Sequence, residues 1–205
     1  MTDAPRRRPG RPKDPARRAA MLQAARMAFA ENGYAGASLA SLAERIGLTK
    51  AAVLHHFASK DALYKEVLAV TLQSLIEPVT AAALGPGSYV DRLDRLTAAI
   101  VSELSEHPAS AKLLIREILG RGPFIEGEGG QAVRAGIGAI ASFFDAGMRE
   151  GAFIQQDATQ LTWSVIGVHL LSFAANDVDA LQPVLPDVHG RREAALRHVR
   201  SMTLA

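Results

Sequence analysis

The stretch GYAGASLASLAERIGLTKAAVLHHFASKDALYKEVL, residues 33–68, decides the fold of this chain. Ser38 can cap a short helix carrying Leu39, Leu42, Ala43 and Ile46 at helical spacing, and that helix ends at Gly47. Thr49 can cap a second helix running to Phe57, and Ser59 a longer one that passes Leu63, Val67 and Val70 toward Pro78. Two short helices crossing steeply must approach closely, and the turn between them needs a residue that tolerates positive φ. Ala43 and Gly47 meet these needs. Leu48 and Val53 are then placed to pack on Leu42 and Ile46, with Phe57 closing the unit against the preceding helix, while Lys50, Ala51, Leu54 and His55 point outward. A generic helical hairpin would share the small residue and the Gly-Leu turn. A helix-turn-helix adds an outward face on its second helix that can enter a major groove. There the small Ala51 and Ala52 let the backbone approach base edges, and Thr49 can offer a hydroxyl and an amide to a phosphate.

Outward from this core the chain reads as helix almost throughout. Upstream, Asp14-Pro15 pairs an N-cap with a proline at the first helical position, opening a helix through Ala19, Leu22, Ala25, Ala28 and Phe29 that stops at Asn32-Gly33. Residues 1–13 contain Pro5, Pro9, Gly10 and Pro12 among arginines, which predicts a flexible basic arm. Downstream, helices are expected at about 88–106, 108–120, 130–150, 157–177 and 190–203. Strand signals are absent, so the expected fold is all-α with about nine helices. Gly120 to Gly130 reads as a loop, and its Gly-Arg-Gly-Pro start follows no strand, which argues against a phosphate-cradling loop. The expected division is an arm at 1–13, a three-helix helix-turn-helix domain at 14–60 and a helical body at 61–205.

Charge separates these parts. Through Lys60 there are eleven Lys and Arg against four Asp and Glu, whereas the remainder has twelve against seventeen. A basic first third on a mildly acidic remainder suggests that one part meets a polyanion and the other does not. The absence of cysteine excludes disulfides, thiolate metal sites and cysteine nucleophiles, and a cytoplasmic location is expected. No secretion leader is expected, because the first apolar stretch is broken by Arg26. No membrane partner is expected either: residues 157–177 are uncharged between Asp157 and Asp177 but carry Thr159, Gln160, Thr162, Ser164, His169 and Ser172.

Residues 33–68 resemble the DNA-binding motif of the TetR family of bacterial regulators almost position for position. The match covers the helix-turn-helix, the following His56-Phe57 and the Ser59-Lys60-Asp61 entry into the next helix, and the arm Gly10-Arg11-Pro12-Lys13 is similar to arms in such proteins. GMREGAFIQQDATQLTWSVIGVHLLSF, residues 147–173, is similar to the dimer-forming end of some members. The resemblance implies a homodimer with N-terminal DNA-binding domains and a C-terminal domain that dimerises and encloses a small-molecule effector. It implies phosphate contacts at Ser38, Thr49 and Lys60, with Lys50 near phosphate or base edges. Where many members carry two tyrosines in the recognition helix, this chain has Leu54 and His55, exchanging a tyrosine hydroxyl for an apolar group able to meet a thymine methyl. Arg11, between Gly10 and Pro12, suits an extended arm entering a narrow minor groove, or one that only attracts phosphate.

In the body, Leu161, Val165, Val168 and Phe173 on the 157–177 helix, with Leu196 and Val199 on the last helix, are the expected dimer contacts; an intramolecular core helix is the alternative. Small residues Ser164, Gly167 and Ser172 would permit close approach. Candidate effector contacts are Arg116, Phe124, Phe143, Phe144, Trp163 and His169, although such aromatics also serve as core and Arg116 can pair with Glu117. A mostly apolar lining would favour a hydrophobic or amphipathic effector. No cofactor or metal is expected: His55 and His56 diverge by about 100° on a helix, and Glu103 with His107 reads as an exposed pair. No nucleophile, base and metal set occurs at a recognisable spacing, so an enzyme is not expected. The resemblance implies, as the expected function, a repressor that binds a palindromic operator in double-stranded DNA. The alternative is an architectural DNA-binding protein without an effector, using the same arm and helix-turn-helix.

Overall fold

A computed structural model describes residues 15–120, 122–176, 178–185 and 190–204. Among them there is no strand, and ten α-helices follow in order: α1 (Pro15–Gly36), α2 (Leu39–Arg45), α3 (Lys50–His56), α4 (Lys60–Leu84), α5 (Tyr89–Glu106), α6 (Ala109–Leu119), α7 (Pro123–Glu126), α8 (Glu128–Arg149), α9 (Ala158–Ala174) and α10 (Arg191–Thr203). A 3-10 turn, Asp179–Val184, precedes α10. The basic arm, with Arg11, lies outside the described residues.

Local chemistry starts and stops most of these helices. The side chains of Ser38, Thr49 and Ser59 accept the amides of Ser41, Ala52 and Ala62 at 3.0, 3.1 and 3.0 Å, each satisfying an N-terminal donor that the helix leaves open. Ser88 and Asp91 form a reciprocal capping box on α5, and Asp157 caps α9 through the Gln160 amide at 2.6 Å. The first helix departs from helical geometry at Gly33, φ 69°, the expected end, although helical hydrogen bonding resumes to Gly36. Gly47 adopts φ 65° in the turn between α2 and α3, a backbone region that other residues enter only at a cost.

Two expectations are corrected. The helix from Ser59 does not end near Pro78 but continues to Leu84, because proline deletes a single amide donor while Val79, Ala82 and Ala83 remain buried beyond it. The stretch Gly120 to Gly130 is not a loop: it holds α7 and the start of α8. Pro123 presets the first turn of α7, and the buried carboxylate of Glu117 accepts the amides of Phe124 and Ile125 at 3.0 and 3.1 Å. The cap of α7 thus comes from another helix, which is why the total exceeds the nine helices expected.

Two apolar clusters hold the fold. One joins Met21 and Phe29 of α1, Leu42 of α2, Val53 of α3 and Leu63 and Leu68 of α4 to Leu113 and Leu114 of α6 and to Phe124. The other gathers Leu93, Leu96 and Leu104 of α5, Phe143 and Phe144 of α8, Leu161 and Val165 of α9 and Val199 of α10. Fully burying each such side chain contributes roughly 1.5–3 kcal/mol. α4 contributes Leu63 and Leu68 to the first cluster and Val79 and Ala83 to the second, so it physically connects the two. By length and composition α4 is also the one described helix apolar enough to cross a membrane; its Leu63, Val67, Leu68, Leu72, Val79, Ala82 and Ala83 pack these clusters, whereas Leu84 is exposed.

Candidate nucleic-acid interface and apolar cavity

The outward face of α3 is formed as its caps dictate. Val53 is buried under the helix, whereas Lys50, Ala51, Leu54 and His55 are exposed, Ala52 is partly buried and Leu54 retains 40% of its surface. Thr49 stands exposed at the start of α3 with its oxygen bound to the Ala52 amide, so its hydroxyl hydrogen remains to be donated. Ser38 holds the equivalent place on α2, sharing a hydroxyl hydrogen bond of 3.0 Å with Ser41. Lys60, at the start of α4, lies 4.5 Å over the Tyr34 ring and donates to the Ala35 carbonyl oxygen at 3.5 Å. His56 is half-buried, its ring 6.4 Å from Phe57 and nearly perpendicular to that of His55.

Other basic residues of the first third serve the fold instead. Arg18 pairs with Glu66 of α4 and lies 4.8 Å over Phe57; Arg45 pairs with Glu31 at 2.9 Å. Arg26 is buried, and burial lowers its pKa against an opposing pull from Glu103. Charge counting alone cannot separate such residues from those that face outward.

The body contains a cavity of about 120 Å³. α4 lines it with Leu72, Leu75, Ile76, Val79 and Thr80, α5 with Ile100 and Leu104, and α6 with Leu114 and Ile118. Ile125, four residues of α8 and Trp163, Ile166 and Leu170 of α9 complete it. No lining residue is ionisable, and the Thr80 hydroxyl donates to the Ile76 carbonyl oxygen at 2.8 Å.

Of the six expected effector contacts, Trp163 alone lines this cavity. Phe143 and Phe144 instead form an aromatic core with Tyr89 and Phe153, ring centroids 5.5 to 5.9 Å apart, with Arg92 stacked 5.0 Å over Phe143. Phe124 is buried in the first cluster, its ring so close to the backbone of Gly129 that a Cβ there would overlap it. Arg116 does not pair with Glu117; it is exposed and donates to the Glu31 carbonyl oxygen at 3.3 Å. His169 is buried, with Nδ1–H donating to the Val165 carbonyl oxygen at 2.6 Å. Desolvation lowers its pKa, and His198 adds to that shift. Nor are Glu103 and His107 an exposed pair: Glu103 is half-buried and accepts the Ser74 hydroxyl at 2.6 Å. The cavity residues missed in sequence are aliphatics of α4, α5, α6 and α8, whose helical spacing is the same whether they pack core or line a void.

The expected dimer contacts divide similarly. Leu161, Val165, Phe173 and Val199 lie inside the protomer's own core and Leu196 is half-buried, whereas Val168 is exposed. The apolar face that α9 leaves open consists of Trp163, Gly167, Val168 and Leu171, the last 66% exposed.

Among the described residues the chain is thus a capped helix-turn-helix followed by further helices. Residues 21–67 match the family described as bacterial regulatory proteins, tetR family. The chain is 39% identical over 61 residues to the HTH-type transcriptional repressor AcnR of Corynebacterium jeikeium, 30% of this chain and 32% of that protein. It is 30% identical over 115 residues to the HTH-type transcriptional regulator RutR of Escherichia coli K12, 55% of this chain and 53% of that one. It thus spans between a third and about half of the length of these curated relatives. The fold is similar to that of the ketosteroid transcriptional regulator KstR2 of Mycobacterium tuberculosis, with a TM-score of 0.76 at 21% identity over 96% of this chain and 98% of the other. The match to the tetR family thus covers residues 21–67, and over the rest of the chain the likeness to KstR2 is one of fold.

Proposed function

We propose that the chain is a ligand-responsive transcriptional repressor that binds a palindromic operator as a cytoplasmic homodimer and is released by a small hydrophobic effector. The observation that carries this reading is the placement of α4: near its start Leu63 and Leu68 share an apolar cluster with Val53 of α3, and farther along Leu72, Ile76 and Val79 line an apolar cavity. In each protomer Lys50, Ala51, Ala52, Leu54 and His55 enter a major groove, while Ser38, Thr49 and Lys60 hold phosphates. Leu54 supplies an apolar contact for a thymine methyl, and His55 a polar edge. The arm residue Arg11 adds a phosphate or minor-groove contact.

Two heads must lie about 34 Å apart to read successive grooves, so the dimer must hold their separation. The exposed Trp163, Gly167, Val168 and Leu171 face of α9 supplies the contact, with half-buried Leu196 of α10 at its side. An effector in the cavity presses on Leu72, Ile76 and Val79 of α4, and the helix carries that displacement to Lys60 and to the packing of α3. Release requires the effector to favour the displaced conformation, a coupling of ~1–3 kcal/mol being typical.

Selection of bound sequences from a random duplex library, with affinities then measured at several salt concentrations, tests the proposal. An inverted repeat is the expected result. Recovery of no motif, with binding that simply fades as salt rises, would replace the operator switch by an architectural role.

A further inference from the structure

We infer that the effector is an uncharged, hydrocarbon-like molecule, a small arene or alkyl group that brings neither a carboxylate nor a phosphate into the body; this rests on the reading of the cavity as the effector site. Six helices meet at the void, and every lining side chain except Thr80 and the indole of Trp163 is purely aliphatic or a glycine. The Thr80 hydroxyl hydrogen is already given to the Ile76 carbonyl oxygen, so it has none left for an incoming anion. Arg26, Glu103 and Glu117 contribute no lining residue, and Glu103 and Glu117 are occupied by Ser74 and by Tyr64 with two α7 amides.

A carboxylate drawn into such a space would shed its water and meet no cation and an almost wholly apolar wall, a transfer far more costly than the gain from burying its hydrocarbon part. A neutral hydrocarbon loses nothing polar and gains dispersion contacts with the aliphatic wall. Size points the same way. Apolar voids of about 150 Å³ lined by similar side chains stay dry and take up benzene, and this cavity is about 120 Å³. Its rim includes the partly exposed Ile118 of α6, beside which such a molecule can enter.

Trp163 is the only tryptophan in the chain and lies on the cavity wall, so its emission reports occupancy directly. Toluene and benzoate, nearly equal in size and differing by a carboxylate, are titrated into the full chain at pH 8 while Trp163 emission and the thermal midpoint are followed. Toluene should give a saturable emission change and raise the midpoint, because it binds the folded state alone. Benzoate should bind at least about 100-fold more weakly. Ile118→Arg, at the partly exposed rim, supplies the missing cation and should bring benzoate affinity to within about tenfold of that for toluene; Ile118→Lys serves if the arginine variant folds poorly. Benzoate binding the wild type as tightly as toluene would overturn the inference and leave the effector site standing. No gain of benzoate binding in a folded rim variant would show that toluene occupies another place, and would overturn it too. No response to either probe would remove the effector reading of the cavity, and this inference with it.

Discussion

Tyr64 of α4 donates its hydroxyl to the buried carboxylate of Glu117 on α6 at 2.5 Å, so the second turn of the helix that follows the recognition unit is tied to the body beside its cavity. Glu117 lies between Leu114 and Ile118, both on the cavity wall, and the same carboxylate caps α7. Tyr64 in turn packs edge-on against Phe29 at 4.8 Å and Tyr34 at 4.9 Å, and Tyr34 carries Lys60. Burial first, and then the bond to Glu117, raise the tyrosine pKa, which keeps it protonated and donating at neutral pH.

Tyr64→Phe removes that donor and leaves a buried carboxylate partly unsatisfied. The expected loss is ~1–3 kcal/mol of stability, read as a lower urea midpoint. It should also weaken the effect of a cavity ligand on operator affinity, since one link between α6 and α4 is gone. An unchanged midpoint with unchanged ligand response would deny the contact both roles.

Gly47 offers a test of backbone strain without side-chain collision, because a Cβ placed there meets nothing within 4 Å. Gly47→Ala should therefore cost ~1–2 kcal/mol from its positive φ alone. Gly47→Asn should cost less, as asparagine enters this region more readily. Equal stability of all three proteins in thermal melts would contradict the turn geometry.

On the DNA side, Lys60→Gln should lower affinity similarly for all sequences and reduce the slope of log affinity against log salt by about one, the mark of a lost phosphate contact. Lys50→Ala should weaken operator binding by ~1–3 kcal/mol with relaxed preference at one position if it reads a base, or with uniform loss if it meets phosphate. A variant that binds operator like the wild type at matched salt would take its residue out of the interface.

Leu171→Glu places a charge on the open face of α9 and should convert a dimer into folded monomers, measured by light scattering after gel filtration. Val165→Ala, inside the protomer, should instead lower stability by ~1–3 kcal/mol and leave assembly intact. A Leu171→Glu protein that remains dimeric would place the interface elsewhere.

His169 makes stability sensitive to acid. Its folded pKa lies below its ordinary value of 6.5, so below that pH the unfolded chain binds more protons than the folded one. Its contribution is therefore complete above pH 6.5 and is lost as pH falls toward the folded pKa. His169→Asn keeps a donor near the Nδ1 position without the titration, and its thermal midpoint should fall less between pH 7.5 and about pH 5 than that of the wild type. Parallel pH profiles for the two proteins would exclude this histidine as the source.

What the sequence by itself determined is local. Ser38, Thr49 and Ser59 announce helix starts because each hydroxyl reaches an amide three residues on, and Gly47 announces a turn because its own φ demands it. The outward face of α3 followed from the same short-range periodicity. The tertiary structure decided what depends on distant partners. α7 exists where Glu117 caps it, and Phe143 and Phe144 became core because Tyr89, Arg92 and Phe153 close around them. Leu161, Val165, Phe173 and Val199 turned inward while Val168 and Leu171 stayed open, a choice that apolar spacing on a helix with two apolar faces leaves undetermined. The cavity belongs to the same class: it is the space that six helices fail to fill between them, and a void has no residues of its own.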